Sequence, residues 1–181
     1  VRVLRVARFA ARYQHLGFSI AAETIALMQN MVGQGETQHL IAERVWQEMQ
    51  KALTEQHPEV FFTTLKECGA LSDILPTTDD ILKTLTHYNI APLIHSAQKT
   101  HDPLIRFSAF CYSFSNDDIS AICRHLAVPN EYSELAVLVK KFDATYLNPN
   151  SWNSEKLITL FQQCDVLRKP ERFQQLLDAW D

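Results

Sequence analysis

The stretch VRVLRVARFAARYQHLGF, Val1–Phe18, decides how the rest of this 181-residue sequence is interpreted. At about 100° per residue its four arginines fall on one helical face and its small apolar residues on the other. The arginines are Arg2, Arg5, Arg8 and Arg12, and no acidic residue precedes Glu23. We expect the apolar face to pack on the protein and the arginine face either to bind phosphates or nucleobases or simply to be solvated.

The basic character of the chain is confined to this first helix. The formal net charge is −4, and without the first 22 residues 13 basic residues remain against 21 acidic ones. A nucleic-acid partner would therefore contact the N-terminal end, since uncompensated carboxylates repel phosphate. The four cysteines form no CxxC pair and are expected to be reduced and buried. Without an apolar run long enough to cross a membrane, a cytoplasmic protein with no membrane partner is expected.

Helical periodicity continues through nearly the whole chain, and the sequence holds only four glycines. The predicted fold is therefore an all-α array of about ten short helices. The predicted boundaries follow caps and breakers: an end near Gly17, then starts at Ser19, Ala42, Pro58, Thr77, Pro92, Asp102, Asn116, Pro129, Ser154 and Pro170. The clearest predicted loop is NPNSWN, 148–153.

Several longer stretches carry a family resemblance and together cover well over half the chain. They are VRVLRVARFAARYQHLGFSI, ETIALMQNM, ERVWQEMQKAL, VFFTTLKECGAL, RHLAVPNEYSELAVLV and CDVLRKPERFQQLL. They resemble the neck and body of bacterial class II tRNA nucleotidyltransferases, the CCA-adding enzymes. The resemblance implies a neck over residues 1–76 and a tRNA-binding body over 77–181, which includes a degenerate phosphohydrolase-like segment.

In that family a Glu-Asp-x-x-Arg motif selects the incoming nucleotide through the base edges of CTP and ATP. Arg2 matches the final arginine of the motif, and its Glu and Asp would lie before Val1. The resemblance implies that Arg5 and Arg8 line the same nucleotide-binding face. A later Arg-x-x-x-Glu motif maps onto Arg44 and Glu48, an i,i+4 pair that is expected to brace the neck.

The remaining basic candidates are assigned to the tRNA acceptor end or to other parts of the tRNA. They are Arg12, Lys140, Lys141, Arg168 and Lys169. For the two lysine-containing pairs, simple solvation is an equally good interpretation. No metal-ligand spacing is found among the seven histidines, and the paired acids Asp79-Asp80 and Asp117-Asp118 are expected to favour helix starts through the helix dipole.

Two departures from the family limit the expected activity. The catalytic head has no counterpart here, so the Mg²⁺ of the intact enzyme would be bound by a missing N-terminal domain and not by this chain, which supplies no catalytic residue. In addition, Tyr112 and Ser113 stand where relatives carry His-Asp, and a neighbouring segment is expected to be deleted. The alternatives are a non-catalytic helical remnant that binds RNA or acts as a scaffold, and a poly(A) polymerase relative.

Overall fold

The computed structural model describes residues 1–75, 87–142 and 153–180. Within these ranges the chain forms eleven α-helices and no strand, which confirms the all-α expectation. The helices are α1 Arg2–Tyr13, α2 Ala22–Gly33, α3 Ala42–Leu53, α4 Pro58–Glu67, α5 Leu71–Ile74, α6 His87–Lys99, α7 Pro103–Cys111, α8 Asn116–His125, α9 Asn130–Lys141, α10 Ser154–Cys164 and α11 Pro170–Trp180. None of them is long and apolar enough to cross a membrane.

Most of the predicted helix ends follow from local sequence. A short 3₁₀ turn, Gln14–Leu16, extends α1, and Gly17 closes it in the left-handed region at φ 77°, where a side chain would be strained. Asp102 caps α7 by accepting a hydrogen bond from the Leu104 N–H at 2.8 Å. The other carboxylate oxygen of Asp102 accepts one from Gln175 Nε2 at 2.9 Å, so this cap also holds α11.

Three boundary predictions are wrong. Ser19 caps nothing, because α2 begins after Ala21 without a side-chain cap. The cap of α8 is Ser115, whose hydroxyl accepts from the Asp118 N–H, and Asn116 lies inside the helix. Pro92 lies within α6 instead of near its start. The helix continues through this proline because Ile90 and Leu93, on either side of it, are buried in the main apolar cluster.

The predicted Thr77-capped helix falls almost entirely outside the described residues, as do Asp79 and Asp80. Most of the NPNSWN loop, including Trp152, also lies outside the part of the chain that the structure describes.

α1 packs against α3 and α4, and α7 packs against α3, α6, α9 and α11. One apolar cluster runs from Val3 to Ala136 and contains Trp46, which meets the rings of Phe107 and Tyr132 edge-on. A smaller cluster joins α7, α9, α10 and α11. The main cluster therefore combines residues from both predicted domains, and the division at residue 76 remains a prediction.

A fully buried arginine in α7 connects three of the packed segments. Arg106 Nη1 donates to the carbonyls of Leu53, the last residue of α3, and of Glu55, two residues further on, each at 2.6 Å. Its other nitrogens donate to Ala97 and Thr100 at the end of α6, at 3.0 and 2.6 Å. Burial lowers the pKa of the Arg106 guanidinium. The guanidinium donates to these backbone carbonyls, whose dipoles take the role that a carboxylate usually has.

Candidate nucleic-acid interface

Helix α1 separates its residues as the periodicity predicts. Its buried side is formed by five small or branched apolar residues: Val3, Leu4, Ala7, Ala10 and Ala11. Arg2, Arg5 and Arg12 are exposed on the other side. Among the described residues none of these three arginines forms an ion pair with a carboxylate. They present three guanidinium groups whose donors are available to an external acceptor.

Arg8 is used differently from its three neighbours. Its Nε donates to Glu48 Oε2 at 2.8 Å, and its Nη1 lies 3.9 Å from Glu55 Oε1. The Arg8 side chain is 15% exposed and the Glu48 side chain 9%. This contact joins α1 to α3, so two nitrogens of the guanidinium that is predicted to bind nucleotide have an internal partner, and its nucleotide-binding role stays a prediction.

The expected Arg44–Glu48 pair is replaced by another one. Glu48 faces α1, where it meets Arg8, and its second oxygen lies 3.7 Å from Lys51 Nζ. Arg44 is exposed and pairs with no carboxylate of the described segments. The physical reason is burial: a nearly buried carboxylate is best satisfied by an arginine from the helix that covers it. Glu48 therefore contacts the helix α1, with Arg8 as its partner.

Sequence reasoning missed a set of exposed aromatic rings on the arginine side of α1. Phe9, Tyr13 and Phe18 are 42%, 38% and 45% exposed. Ring centroids lie 6.3 Å apart both from Phe9 to Tyr13 and from Tyr13 to Phe18. The i,i+4 spacing of Phe9 and Tyr13, each directly after an arginine in the sequence, is the signal that could have revealed them.

The other predicted tRNA contacts lie on α9 and beside α11, helices that pack on α7. Lys140 Nζ donates to the Tyr112 carbonyl at 3.2 Å, and Lys141 Nζ lies 5.8 Å from the centroid of the Phe142 ring. Lys169 Nζ lies 3.4 Å from Glu134 Oε2, while Arg168 is exposed. Of these four side chains, those of Arg168 and Lys141 make no hydrogen bond or ion pair among the described atoms. The tRNA roles of all four residues remain predictions.

The segment that is expected to be a phosphohydrolase remnant packs into the core. Ile105 to Cys111 in α7 are all buried, and the Phe110 ring stacks on Phe62 with centroids 4.0 Å apart. Tyr112 follows the helix and is partly exposed. In the described ranges no group of three or more His, Cys, Asp or Glu side chains is placed to hold a metal ion. The assignment of Mg²⁺ to a missing head domain stays a prediction.

A family model described as "Probable RNA and SrmB- binding site of polymerase A" matches residues 17–82. Among curated proteins, multifunctional CCA proteins match almost the entire chain. Those of Dechloromonas aromatica and Teredinibacter turnerae are each 38% identical over 99% and 97% of the chain, and that of Legionella pneumophila is 37% identical over 99%. No solved structure matches.

These matches confirm the resemblance, but they cover only part of each relative. The chain spans about half the length of the curated relatives it matches, 50% in the Dechloromonas protein. That alignment extends over 209 residues, so the relative has at least 28 residues, the difference between 209 and 181, with no counterpart here. The sequence analysis predicts that a segment is deleted beside Tyr112, and the alignment length does not show where these residues lie.

Proposed function

We propose that this chain is the tRNA-binding and nucleotide-selecting part of a tRNA nucleotidyltransferase, which adds or repairs the 3′-terminal CCA of tRNA from CTP and ATP. The observation that carries the proposal is the similarity of nearly the whole chain to multifunctional CCA proteins. Arg2, Arg5 and Arg12, which are exposed and form no ion pair within the described ranges, support it, because the resemblance assigns nucleotide binding to this helix.

In this proposal the first turns of α1 meet the nucleotide and the 3′ end of the tRNA, with Arg2 at the nucleotide and Arg5 also within reach of a tRNA phosphate. Arg2 and Arg5 are exposed, and a guanidinium fork can pair with the acceptors of a nucleobase edge or with phosphate oxygens. Arg12, two turns further on, contacts the phosphates of the tRNA acceptor end. Arg8 contributes indirectly, since its ion pair with Glu48 holds α1 on α3.

The metal-dependent step belongs to another part of the enzyme. Nucleotidyl transfer of this kind requires carboxylates that hold Mg²⁺ on the triphosphate, and the described residues offer no such group. The proposal therefore assigns Mg²⁺ and the catalytic residues to a head domain preceding Val1, and it expects the isolated chain to be inactive.

The test measures tRNA binding by the 181-residue chain with fluorescence anisotropy over a series of salt concentrations. Arg5→Ala and Arg12→Ala should each weaken binding and flatten the plot of log K against log salt by about one unit, because each removes a phosphate contact. Arg124→Ala is the matched control, since it removes an exposed arginine from α8. Unchanged slopes in both α1 variants would exclude them from the interface.

A poly(A)-adding enzyme is the second candidate, favoured by the description of the family model, which refers to polymerase A. The two candidates differ in product: one leaves CCA ends and the other a run of A. Sequencing the 3′ ends of RNA treated with a longer protein that contains this chain distinguishes them.

A further inference from the structure

The three exposed rings of Phe9, Tyr13 and Phe18 form a continuous surface, which we call the aromatic strip. Two of the rings come from α1 and the third follows the Gly17 turn, which folds it back against Tyr13. Isolated exposed apolar residues are normal, but three adjoining exposed rings form a patch that water solvates poorly. A surface of this kind indicates a binding partner.

Cations flank the aromatic strip. The Arg12 guanidinium carbon lies 5.6 Å from the centroid of the Tyr13 ring, and that of Arg8 lies 4.8 Å from the Phe9 ring. Arg8 is held by Glu48, which leaves Arg5 and Arg12, with Arg2 at the start of α1, as the charges of this helix that are available to a partner. No acidic residue occurs in the first 22 positions of the sequence. The partner that complements this surface therefore carries both negative charge and flat apolar faces.

We propose that unpaired nucleotides of an RNA stack their bases on the aromatic strip while their phosphates meet Arg5 and Arg12. Rings beside a basic surface are how proteins bind single strands, since every base has a π face. A duplex fits less well because its bases are already stacked on one another. The inference deepens the proposed function and rests on it, because it assigns the strip to single-stranded nucleotides of the tRNA.

A protein partner fits the same surface less well. An apolar protein face would bury the rings but would also take Arg5 and Arg12 out of water without an acceptor, and burying an unpaired charge is costly. RNA places an anionic group beside each base, so it satisfies the rings and the guanidinium groups at once. Charge complementarity thus favours RNA.

The experiment compares two labelled probes: an unstructured oligoribonucleotide of C and A about eight nucleotides long, and a hairpin duplex with the same number of phosphates. Anisotropy gives the affinity of the 181-residue chain for each. Phe9→Leu, Tyr13→Leu and Phe18→Leu should each weaken single-strand binding about tenfold and leave duplex binding unchanged, because they keep apolar bulk and remove the ring. Tyr13→Phe should retain binding.

The matched control is Phe161→Leu in α10, which removes an exposed ring, 44% accessible, from a helix that no prediction assigns to RNA. Circular dichroism and thermal unfolding verify that each variant is folded. Three results would overturn the inference. The ring variants could lose affinity equally for both probes, they could lose none for the single strand, or Phe161→Leu could lose as much as they do. So would ring variants that abolish self-association of the chain and leave RNA binding intact, since that outcome identifies a protein partner.

The outcomes also separate this inference from the proposed function. If Arg5→Ala and Arg12→Ala weaken tRNA binding and the ring variants do not, the aromatic strip is not a stacking surface and the proposed function stands. If the unaltered chain binds neither the single strand nor tRNA, both fail.

Discussion

At the scale of single residues, the contact between Arg8 and Glu48 distinguishes one arginine of α1 from the other three. Glu48 is 7% exposed as a residue, so its charge depends on a partner that is close and well aligned. Replacing Arg8 with alanine leaves that carboxylate with only the more distant Lys51. We expect Arg8→Ala to lower the free energy of unfolding by about 2 kcal/mol, measured by urea denaturation.

Arg44→Ala is the matched control, because sequence spacing predicts the Arg44–Glu48 pair and the structure does not contain it. Its effect should remain within about 0.5 kcal/mol, as for other exposed positions. A larger loss of unfolding free energy in Arg44→Ala than in Arg8→Ala would support the Arg44–Glu48 pair that spacing predicts. The comparison also separates structural arginines from binding ones, since Arg5→Ala should leave stability unchanged while it affects tRNA affinity.

At the scale of helices, Arg106 connects the ends of α3 and α6 to α7. Four backbone carbonyls depend on its guanidinium, and a buried acceptor without a partner costs about 1–3 kcal/mol. Arg106→Met should therefore cost about 4 kcal/mol or more in urea unfolding, and Arg106→Lys should recover only part, because an ammonium has fewer donors. Arg124→Met, on the surface of α8, should leave the midpoint unchanged. If Arg106→Met unfolds at the same urea midpoint as the unaltered chain, Arg106 does not hold the three helices together.

Local signals predicted the helices well and their caps less well. Pro58, Asp102-Pro103, Pro129, Ser154 and Pro170 all mark starts that the structure contains, because proline and side-chain caps act within one turn. Pro92 misled the prediction, because burial of Ile90 and Leu93 outweighs the local cost of a proline inside α6. Arg106 could not be assigned from sequence, since the carbonyls it binds lie up to 53 positions away.

At the scale of the whole molecule, α7 contributes side chains to both apolar clusters. Phe107 and Phe110 lie in the larger cluster and Ile105 in the smaller one, so neither cluster is complete without this helix. We therefore expect a single cooperative unfolding transition instead of separate steps for residues 1–76 and 77–181.

Two substitutions, one in each apolar cluster, test this cooperativity. Leu53→Ala acts in the larger cluster and Leu176→Ala in the smaller, and both side chains are fully buried. Each should cost about 2–5 kcal/mol and shift circular dichroism and tryptophan fluorescence to the same lower urea midpoint. Two resolved transitions, with each variant moving only one of them, would instead support independent neck and body domains.

The amino-acid sequence by itself determined the all-α class, most helix positions and the split of α1 into apolar and arginine faces. These features depend on periodicity and on residues within a few positions of one another. The tertiary structure alone decided that Glu48 takes Arg8 as its partner, that Arg106 joins helix ends distant in sequence, and that Phe18 lies against Tyr13 to complete an aromatic surface. Those arrangements depend on which helix faces meet across the core, and the spacing of residues within one helix does not determine that.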